Sequence, residues 1–338
     1  MTAPLVLGVD GGDTKTVALL AAPDGSIVGA ARAGGSDIYA YPDPADAVAV
    51  LRDVVARALD AAGACPSDVR QAVFCLAGAD WPEDIELLEA ALVDLLPGTG
   101  VEVLHDSQGH LWAGHPDGEG VAVAFGTAVA VGARHRDGRT WSSTNWLELS
   151  GSTGLGHDAL RAVFDAHLGT APPTALTAGL VSVFGVDSVD TLAHLLTNRT
   201  TLGRPHVRLS DVGPLVLGAA AEGDPVARGI VRRHVDRLAG YVGAAARMVG
   251  LEPPLRVTLG GGPTRHPSGA ILAGLCAAVD DGTSVTRCGR EPAVGCVIKA
   301  MRAAGDPADD SVLARLDATC PEPSFFATLP SRSDVTLA

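Results

Sequence analysis

Lysine is nearly absent from this chain, although arginine is not. Only Lys15 and Lys299 stand among 25 basic residues, against 39 acidic ones, and the formal net charge at pH 7 is −14. Nucleic acids and anionic membranes both repel a negatively charged surface, so we expect neither as a partner. The scarcity of lysine also makes Lys15 notable, because it lies in a motif close to the start of the chain.

Metal-binding cysteine motifs and long apolar runs are lacking as well. The six cysteines form no Cys-x-x-Cys pair and have no paired histidines beside them, so neither a zinc site nor a disulfide framework is supported. Glycine, proline or a charge interrupts every apolar stretch before it reaches membrane-spanning length. No basic segment followed by an apolar one opens the chain. These features predict a cytoplasmic protein with reduced thiols.

Glycine and apolar residues, by contrast, are abundant. The 338 residues include 41 glycines and are 47% hydrophobic, which is enough for two domains with substantial cores. The stretch LGVDGGDTKTVALL, residues 7–20, reads as a strand that ends on a carboxylate and two glycines and then returns to apolar residues. One interpretation is a tight hairpin, which favours Asp-Gly and Gly-Gly. The other is a phosphate cradle with Asp10 facing a metal ion.

The order of strands and turns in this opening occurs twice. From residue 7 the sequence predicts a strand, a glycine turn, a second strand, an Asp-Gly turn and a third strand. The same order returns near residue 120. Such an internal repeat predicts two similar lobes around a central cleft. We assign residues 1–117 to an N-terminal lobe and residues 118–304 to a C-terminal lobe. Residues 305–338 form a tail rich in Asp, Pro and Ser that we expect to pack loosely.

Helical and strand patterns alternate after each of these units, which predicts an α/β fold with a partly parallel sheet. Ligands of such sheets bind beyond the carboxyl ends of the strands. Four candidate loops lie at predicted strand ends, at residues 10–16, 105–107, 126–128 and 260–262. We therefore expect these loops to meet at one cleft, which favours the phosphate interpretation of the opening motif over a plain hairpin.

These four loops, in this order, resemble the actin-like ATPase (ribonuclease H-like) fold shared by sugar kinases, the 70-kDa chaperones and actin. More narrowly, residues 4–304 are similar to the BadF/BadG/BcrA/BcrD ATPase family, in its N-acetylglucosamine kinase-like branch. The run EPAVGCVIKAM, residues 291–301, resembles the closing helix of that family. The resemblance implies an ATP- and Mg²⁺-dependent kinase that phosphorylates a hydroxyl of a sugar or amino sugar, such as N-acetylglucosamine or glucosamine, and that forms a homodimer.

The resemblance also implies roles for individual residues. Asp10 would hold Mg²⁺ through water, because magnesium keeps most of its hydration shell. Asp106 would accept the proton of the acceptor hydroxyl as general base, although a helix N-cap is the alternative interpretation of this residue. The residues expected to contact the nucleotide are Gly11, Gly12, Thr14 and Lys15 in the first loop, Gly126 and Thr127 in the second, and Gly260, Gly261 and Gly262 in the third.

On the acceptor side the chain departs from the family pattern. Ser152 and Thr153 stand where the family carries two carboxylates, and hydroxyl groups bind sugar hydroxyls more weakly than carboxylates do. Asp37 could pair with the amine of an amino sugar or aminocyclitol, or it could only cap a local turn. The residues predicted to bind the acceptor are thus Asp37, Asp106, Trp146, Ser152 and Thr153.

Two other functions are consistent with the same fold. An ATPase that activates a radical dehydratase would need paired cysteine ligands for an iron–sulfur cluster, and no motif supplies them. A nucleotide-binding regulator without kinase activity is compatible with the departures at Ser152 and Thr153. It is also compatible with Ala128, which stands in the second loop where the kinases usually have glycine, a residue with greater backbone freedom.

Overall fold

The computed structural model describes residues 4–143, 151–198 and 208–327. Its first sheet has the strand order β3-β2-β1-β4-β5. Strands β1, β2 and β3 form an antiparallel meander, and β4 and β5 run parallel to β1. The strands are β1 (Leu5–Gly11), β2 (Thr16–Ala21), β3 (Ile27–Ala33), β4 (Val69–Leu76) and β5 (Gly100–His105).

The second sheet repeats this topology. Its order is β10-β9-β6-β7-β8, in which β6, β7 and β8 form the meander and β9 and β10 run parallel to β6. The predicted α/β class and the predicted repeat are therefore confirmed. The strands are β6 (Gly120–Phe125), β7 (Val129–Arg134), β8 (Thr140–Ser142), β9 (Arg256–Gly260) and β10 (Ser284–Arg287).

Helices connect the parallel strands and follow the capping signals of the sequence. In the first helix Asp43 accepts a hydrogen bond from the amide of Ala45, Pro44 is the first helical residue, and Gly63 ends the helix in a left-handed conformation. The helices are α1 (Pro44–Ala62), α2 (Pro82–Val93), α3 (Asp106–Gly114), α4 (Gly151–His167), α5 (Leu176–Val183), α6 (Val189–Thr197), α7 (Gly213–Glu222), α8 (Pro225–Val249), α9 (Ala270–Ala278), α10 (Pro292–Ala303) and α11 (Asp310–Thr319).

Three apolar clusters hold these elements together. One joins the outer face of the first sheet to α1 and α2, and another joins the second sheet to the helices that follow it. The third contains the inner face of the first sheet, α3, α10 and α11, together with Ala122 of β6. Because α3 also packs on β6, β7 and β9, it connects the two sheets. No helix of the described residues is both long and apolar enough to cross a membrane.

The end of the chain returns to the first sheet. Helix α10 packs on β1 and β4, although its residues fall within the predicted C-terminal lobe, whose limits stay a prediction. The expectation of a loosely packed tail is wrong for residues 305–327, because Leu316 and Phe326 are buried. Arg32 of β3 donates hydrogen bonds to the carbonyls of Phe325 and Ala327, both at 2.8 Å. Residues 328–338 lie outside the described part of the chain.

Candidate active site

A cavity of about 920 Å³ lies at the carboxyl ends of the central strands of both sheets. All four predicted loops line it, because the repeated topology brings the ends of β1, β5, β6 and β9 to one edge. Gly11 and Thr153 do not line the cavity, and Trp146 lies outside the described residues. The predicted residues that line it are Asp10, Gly12, Thr14, Lys15, Asp37, Asp106, Gly126, Thr127, Ser152, Gly260, Gly261 and Gly262.

The first loop is a hairpin, and it borders the cavity. Strand β1 pairs with β2 up to Gly11 and Thr16, and the amide of Gly12 donates to the carbonyl of Lys15 at 2.9 Å. The hydroxyl of Thr16 donates to the carbonyl of Gly34 at 2.7 Å and fixes the base of the hairpin. The hairpin interpretation is thus confirmed. Because the Gly12 amide is used within the turn, the loop offers a ligand the Thr14 and Lys15 side chains.

Lys15 is engaged by the end of the chain. Its ammonium nitrogen donates to the carbonyl oxygen of Phe326 at 2.6 Å and lies 3.8 Å from Oε2 of Glu291. Glu291 precedes α10 and also forms an ion pair with Arg265. The positive charge of Lys15 is therefore shared between the cavity and the protein's own C-terminal segment.

Asp10 is a half-buried carboxyl group with Lys15 and two other acidic groups around it. Its pKa is raised to about 7, mainly by desolvation and also by the charges of Asp106 and Glu291, against a lowering effect of Lys15. A carboxylate in such surroundings is stabilised by a cation. The described residues hold no cluster of three ligating side chains that would bind a metal by themselves. Mg²⁺ commonly uses one or two carboxylates together with water and substrate phosphates, so Asp10 fits this ion.

The second loop is fixed by the start of α4. The amide of Ser152 donates to the carbonyl of Gly126, and the amide of Thr153 donates to the carbonyl of Thr127, both at 3.0 Å. Ser152 and Thr153 therefore hold the second loop through their backbones, and the Ser152 side chain is buried beside the cavity. Ala128 causes no strain, because no residue other than glycine has a positive φ in the described chain.

The third loop packs directly on the second. Gly261 has a φ of 98°, and a Cβ at this position would overlap the carbonyl oxygen of Phe125. A Cβ at Gly260 would overlap the imidazole of His110 instead. Glycine is therefore required here by contact and, at Gly261, by backbone conformation as well.

On the acceptor side Asp37 caps a turn and also faces the cavity. Its carboxylate accepts a hydrogen bond from the amide of Tyr39 at 2.9 Å, so the turn-cap interpretation is confirmed. Burial raises the pKa of Asp37, and the nearby charges of Asp13, Asp80 and Asp106 raise it further, although the Tyr39 amide lowers it. This side of the cavity is thus acidic.

Asp106 is the first residue of α3 and does not cap it. The cap is His105, whose Nδ1 accepts from the amide of Ser107 at 3.2 Å. The N-cap alternative for Asp106 is therefore wrong. About a quarter of the Asp106 side chain is exposed, whereas its Oδ1 is buried. A carboxylate that is about a quarter exposed, at a strand end beside a cavity of about 920 Å³, is suited to take a proton from a bound hydroxyl.

Sequence reasoning missed Asp80 and Glu291 and gave no role to His110, and all three residues line the cavity. Asp80 follows β4, and the strand-end rule that identified Asp106 would have found it. His110 lies one helical turn after Asp106 on the same face of α3, and burial lowers its pKa to about 4. Glu291 opens α10, far along the chain, and no local pattern connects it with the first loop.

Comparison with known proteins agrees with this geometry. The sequence profile of the BadF/BadG/BcrA/BcrD ATPase family matches residues 7–268. An N-acetylmuramic acid/N-acetylglucosamine kinase of Clostridium acetobutylicum is 23% identical over 251 residues, which cover 73% of this chain and 81% of that protein.

Solved structures share the fold. A proposed N-acetylglucosamine kinase from Chromobacterium violaceum superposes with a TM-score of 0.67 at 23% identity, covering 89% of this chain and 100% of that one. A ROK family glucokinase from Streptomyces griseus, solved with glucose and AMPPNP, superposes with a TM-score of 0.56 at 18% identity, covering 88% and 98%. The two-sheet architecture is therefore that of the actin-like ATPase fold of sugar kinases.

Proposed function

The chain belongs to the BadF/BadG/BcrA/BcrD ATPase family, and from this premise we propose that it is an ATP- and Mg²⁺-dependent kinase acting on a hydroxyl of a sugar or amino sugar. The observation that carries the proposal is the meeting of three strand-end loops with a partly exposed carboxylate at one cavity. Phosphoryl transfer needs little covalent chemistry from the protein, so positioning and charge are the properties to look for.

The nucleotide would lie between the three loops. The hydroxyls of Thr14 and Thr127 and the ammonium of Lys15 line the cavity at the ends of β1 and β6 and are suited to the phosphates. The close packing of the third loop on the second leaves a smooth backbone surface at Gly260–Gly262 for the adenosine. Mg²⁺ held in part by Asp10 would supply the positive charge that neutralises the phosphates.

Asp106 would act on the acceptor. The acceptor oxygen forms a bond to the terminal phosphorus while the bond from that phosphorus to the bridging oxygen breaks, and this electron pair leaves with ADP. The hydroxyl proton passes to the carboxylate of Asp106. Closure of the two lobes over the acceptor would exclude water, which would otherwise take its place and hydrolyse ATP.

The acidic acceptor side favours a neutral or cationic acceptor. Asp37, Asp80 and Asp106 border it, and each can accept hydrogen bonds from sugar hydroxyls or from an amine. The relatives named above act on N-acetylglucosamine, N-acetylmuramic acid or glucose, so an amino sugar is the class to test first. By the same family likeness we propose a homodimer that works in the cytoplasm, where ATP is available.

The test is ADP release with ATP and Mg²⁺ across a panel of acceptors. N-acetylglucosamine, glucosamine, N-acetylmuramic acid, glucose and an aminocyclitol should be compared with a blank. We expect one of them to stimulate ADP release, and Asp106→Asn to lower the stimulated kcat by about 100-fold or more, because a general base contributes at least this much. Asp94→Asn, an exposed carboxylate at the end of α2, is the matched control and should leave kcat unchanged.

Two outcomes would contradict the proposal. Binding of ATP with no acceptor-stimulated turnover would instead favour the nucleotide-binding regulator that has the same fold. Full activity of Asp106→Asn would show that the base is a different residue.

A further inference from the structure

We propose that Asp80 and His105 form a relay that orients the general base Asp106, which makes His105 a positioning residue of the reaction. This inference rests on the proposed kinase function. It assigns a use to His105, which the proposed mechanism leaves without one, and a second role to Asp80.

The three side chains are brought together by two adjacent parallel strands. His105 is the last residue of β5 and pairs in register with Leu76, the last residue of β4. Asp80 follows β4 by four residues, so its carboxylate reaches the same strand end from the other side of the ring. Nε2 of His105 lies 3.2 Å from Oδ1 of Asp80, and Nδ1 lies 3.0 Å from Oδ1 of Asp106. The imidazole thus spans two carboxylates.

Burial differs along this row. The side chains of Asp80 and His105 are 6% and 11% exposed, whereas that of Asp106 is 26% exposed. Because Oδ1 of Asp106 is itself buried beside the imidazole, the exposed part of the side chain leaves the second oxygen for the acceptor. All three residues line the cavity, and Asp106 is the one whose side chain is most exposed to it.

The charge on the imidazole follows from its neighbours. Burial alone would lower the pKa of His105, but the carboxylates of Asp106 and Asp80 and the backbone of Ser143 outweigh it and raise the pKa above its ordinary value. Asp10 and Asp37 line the same cavity and act on the row through Asp106 and Asp80. His105 consequently keeps its second proton to a higher pH than a free histidine.

Nδ1 of His105 has two sets of neighbouring partners, and its protonation state decides which of them it can hydrogen-bond. When protonated it can donate to Oδ1 of Asp106, which lies 3.0 Å away and is a buried oxygen with no hydrogen-bond partner among the described residues. When neutral it accepts from the amide of Ser107 at 3.2 Å and contacts the Ser107 hydroxyl at 2.9 Å. Deprotonation therefore removes the donor and the positive charge that face Oδ1 of Asp106 and hold the orientation of its side chain.

The first test measures the pKa of the His105 imidazole directly and does not depend on kinase activity. NMR titration of the full-length protein, with the His105 signal identified by its loss in His105→Asn, should give a pKa above 6.5. Asp80→Asn and Asp106→Asn should each lower it by about one unit, since each removes an adjacent opposite charge. Asp190→Asn is the matched control, because Oδ1 of Asp190 lies 3.1 Å from Nε2 of the exposed His167. This variant should leave the pKa of His105 unchanged. An unshifted His105 in both variants would overturn the proposal.

The second test measures kcat as a function of pH, with the acceptor that the panel described above identifies. The wild-type rate should fall at high pH as His105 loses its proton, and Asp80→Asn should move this fall to lower pH by the shift seen in NMR. His105→Asn keeps an amide near the Nδ1 position, so it should retain more activity than His105→Gln and lose the alkaline fall. Circular dichroism melts check that each variant is folded.

The outcomes separate the two proposals. If Asp106→Asn is inactive while the Asp80 and His105 variants keep the wild-type rate and pH profile, the kinase stands and the relay is wrong. If no acceptor is phosphorylated, the kinase proposal fails, and the NMR titration still decides whether the relay of charges exists.

Discussion

Carboxylates at strand ends set the chemistry of the cavity residue by residue. Asp10 follows the apolar part of β1, Asp80 follows β4 and Asp106 follows β5, and these three strands are neighbours in the first sheet. Burial, and then the negative charges of Asp106 and Glu291, explain why the pKa of Asp10 rises to about 7 despite the nearby Lys15. A cation or an imidazolium is the natural partner of such a group, which is why Mg²⁺ and His105 enter the two proposals.

The third loop offers a test at the same scale. Gly261→Ala should weaken ATP binding and lower the free energy of unfolding by about 2 kcal/mol, because alanine is strained at a φ of 98° and its Cβ overlaps the second loop. Gly34→Ala, at a position that does not line the cavity, is the matched control, since a Cβ there meets no atom within 4 Å. Isothermal titration with ATP and a chemical melt measure both effects. Equal behaviour of the two variants would show that the loops are not packed as described.

Among the secondary-structure elements, helices α3 and α10 connect the two halves of the molecule. Helices α3 and α10 pack on each other and on the inner face of the first sheet, and α3 also contacts the second. Both carry a site residue at or just before their first turn: Asp106 begins α3, and Glu291 precedes α10. The packing of these two helices thus fixes the distance between the acceptor side and the residues that hold Lys15.

Close approach of the two helices depends on glycine. A Cβ at Gly295 of α10 would overlap the carbonyl oxygen of Gly109 in α3, so Gly295→Ala should lower the free energy of unfolding by about 2 kcal/mol. Gly240→Ala, at an open position of α8, should instead raise it by about 0.5–1 kcal/mol, because alanine favours helix. Urea unfolding compares the two. A stabilising Gly295→Ala would mean that the helices lie further apart.

At the scale of the whole molecule, the chain closes on itself. The segment after α11 lies against β3 and reaches the cavity, where Phe326 and Ala327 are among the lining residues. Its anchor is the buried Phe326, whose ring meets that of Phe325 edge to face. The first loop and the last described residues are therefore one structural unit, although 311 positions separate Lys15 from Phe326.

This closure predicts unequal roles for two adjacent aromatic residues. Phe326→Ala should lower the free energy of unfolding by about 3 kcal/mol, the loss expected for a buried phenylalanine. Phe325→Ala, at a half-buried position, should cost clearly less. Differential scanning calorimetry of the full chain distinguishes them. Equal melting temperatures of the two variants would show that the segment after α11 does not pack against the first sheet.

The sequence by itself determined the class of fold, the repeat and the loops that form the site. Alternation of apolar residues, glycine turns and helical periodicity are local signals, and the two meanders follow from them. The strand-end positions of Asp10, Asp106, Gly126 and Gly260 then follow from a general property of parallel sheets.

Only the tertiary structure decided which distant groups act on one another. It paired His105 with Asp80, placed Lys15 on the carbonyl of Phe326 and beside Glu291, and gave the cap of α3 to His105. These contacts join segments separated by up to 311 positions, and their geometry depends on how helices cross and sheets pack. No local pattern encodes such crossings, because they arise when many weakly specific apolar contacts are satisfied together.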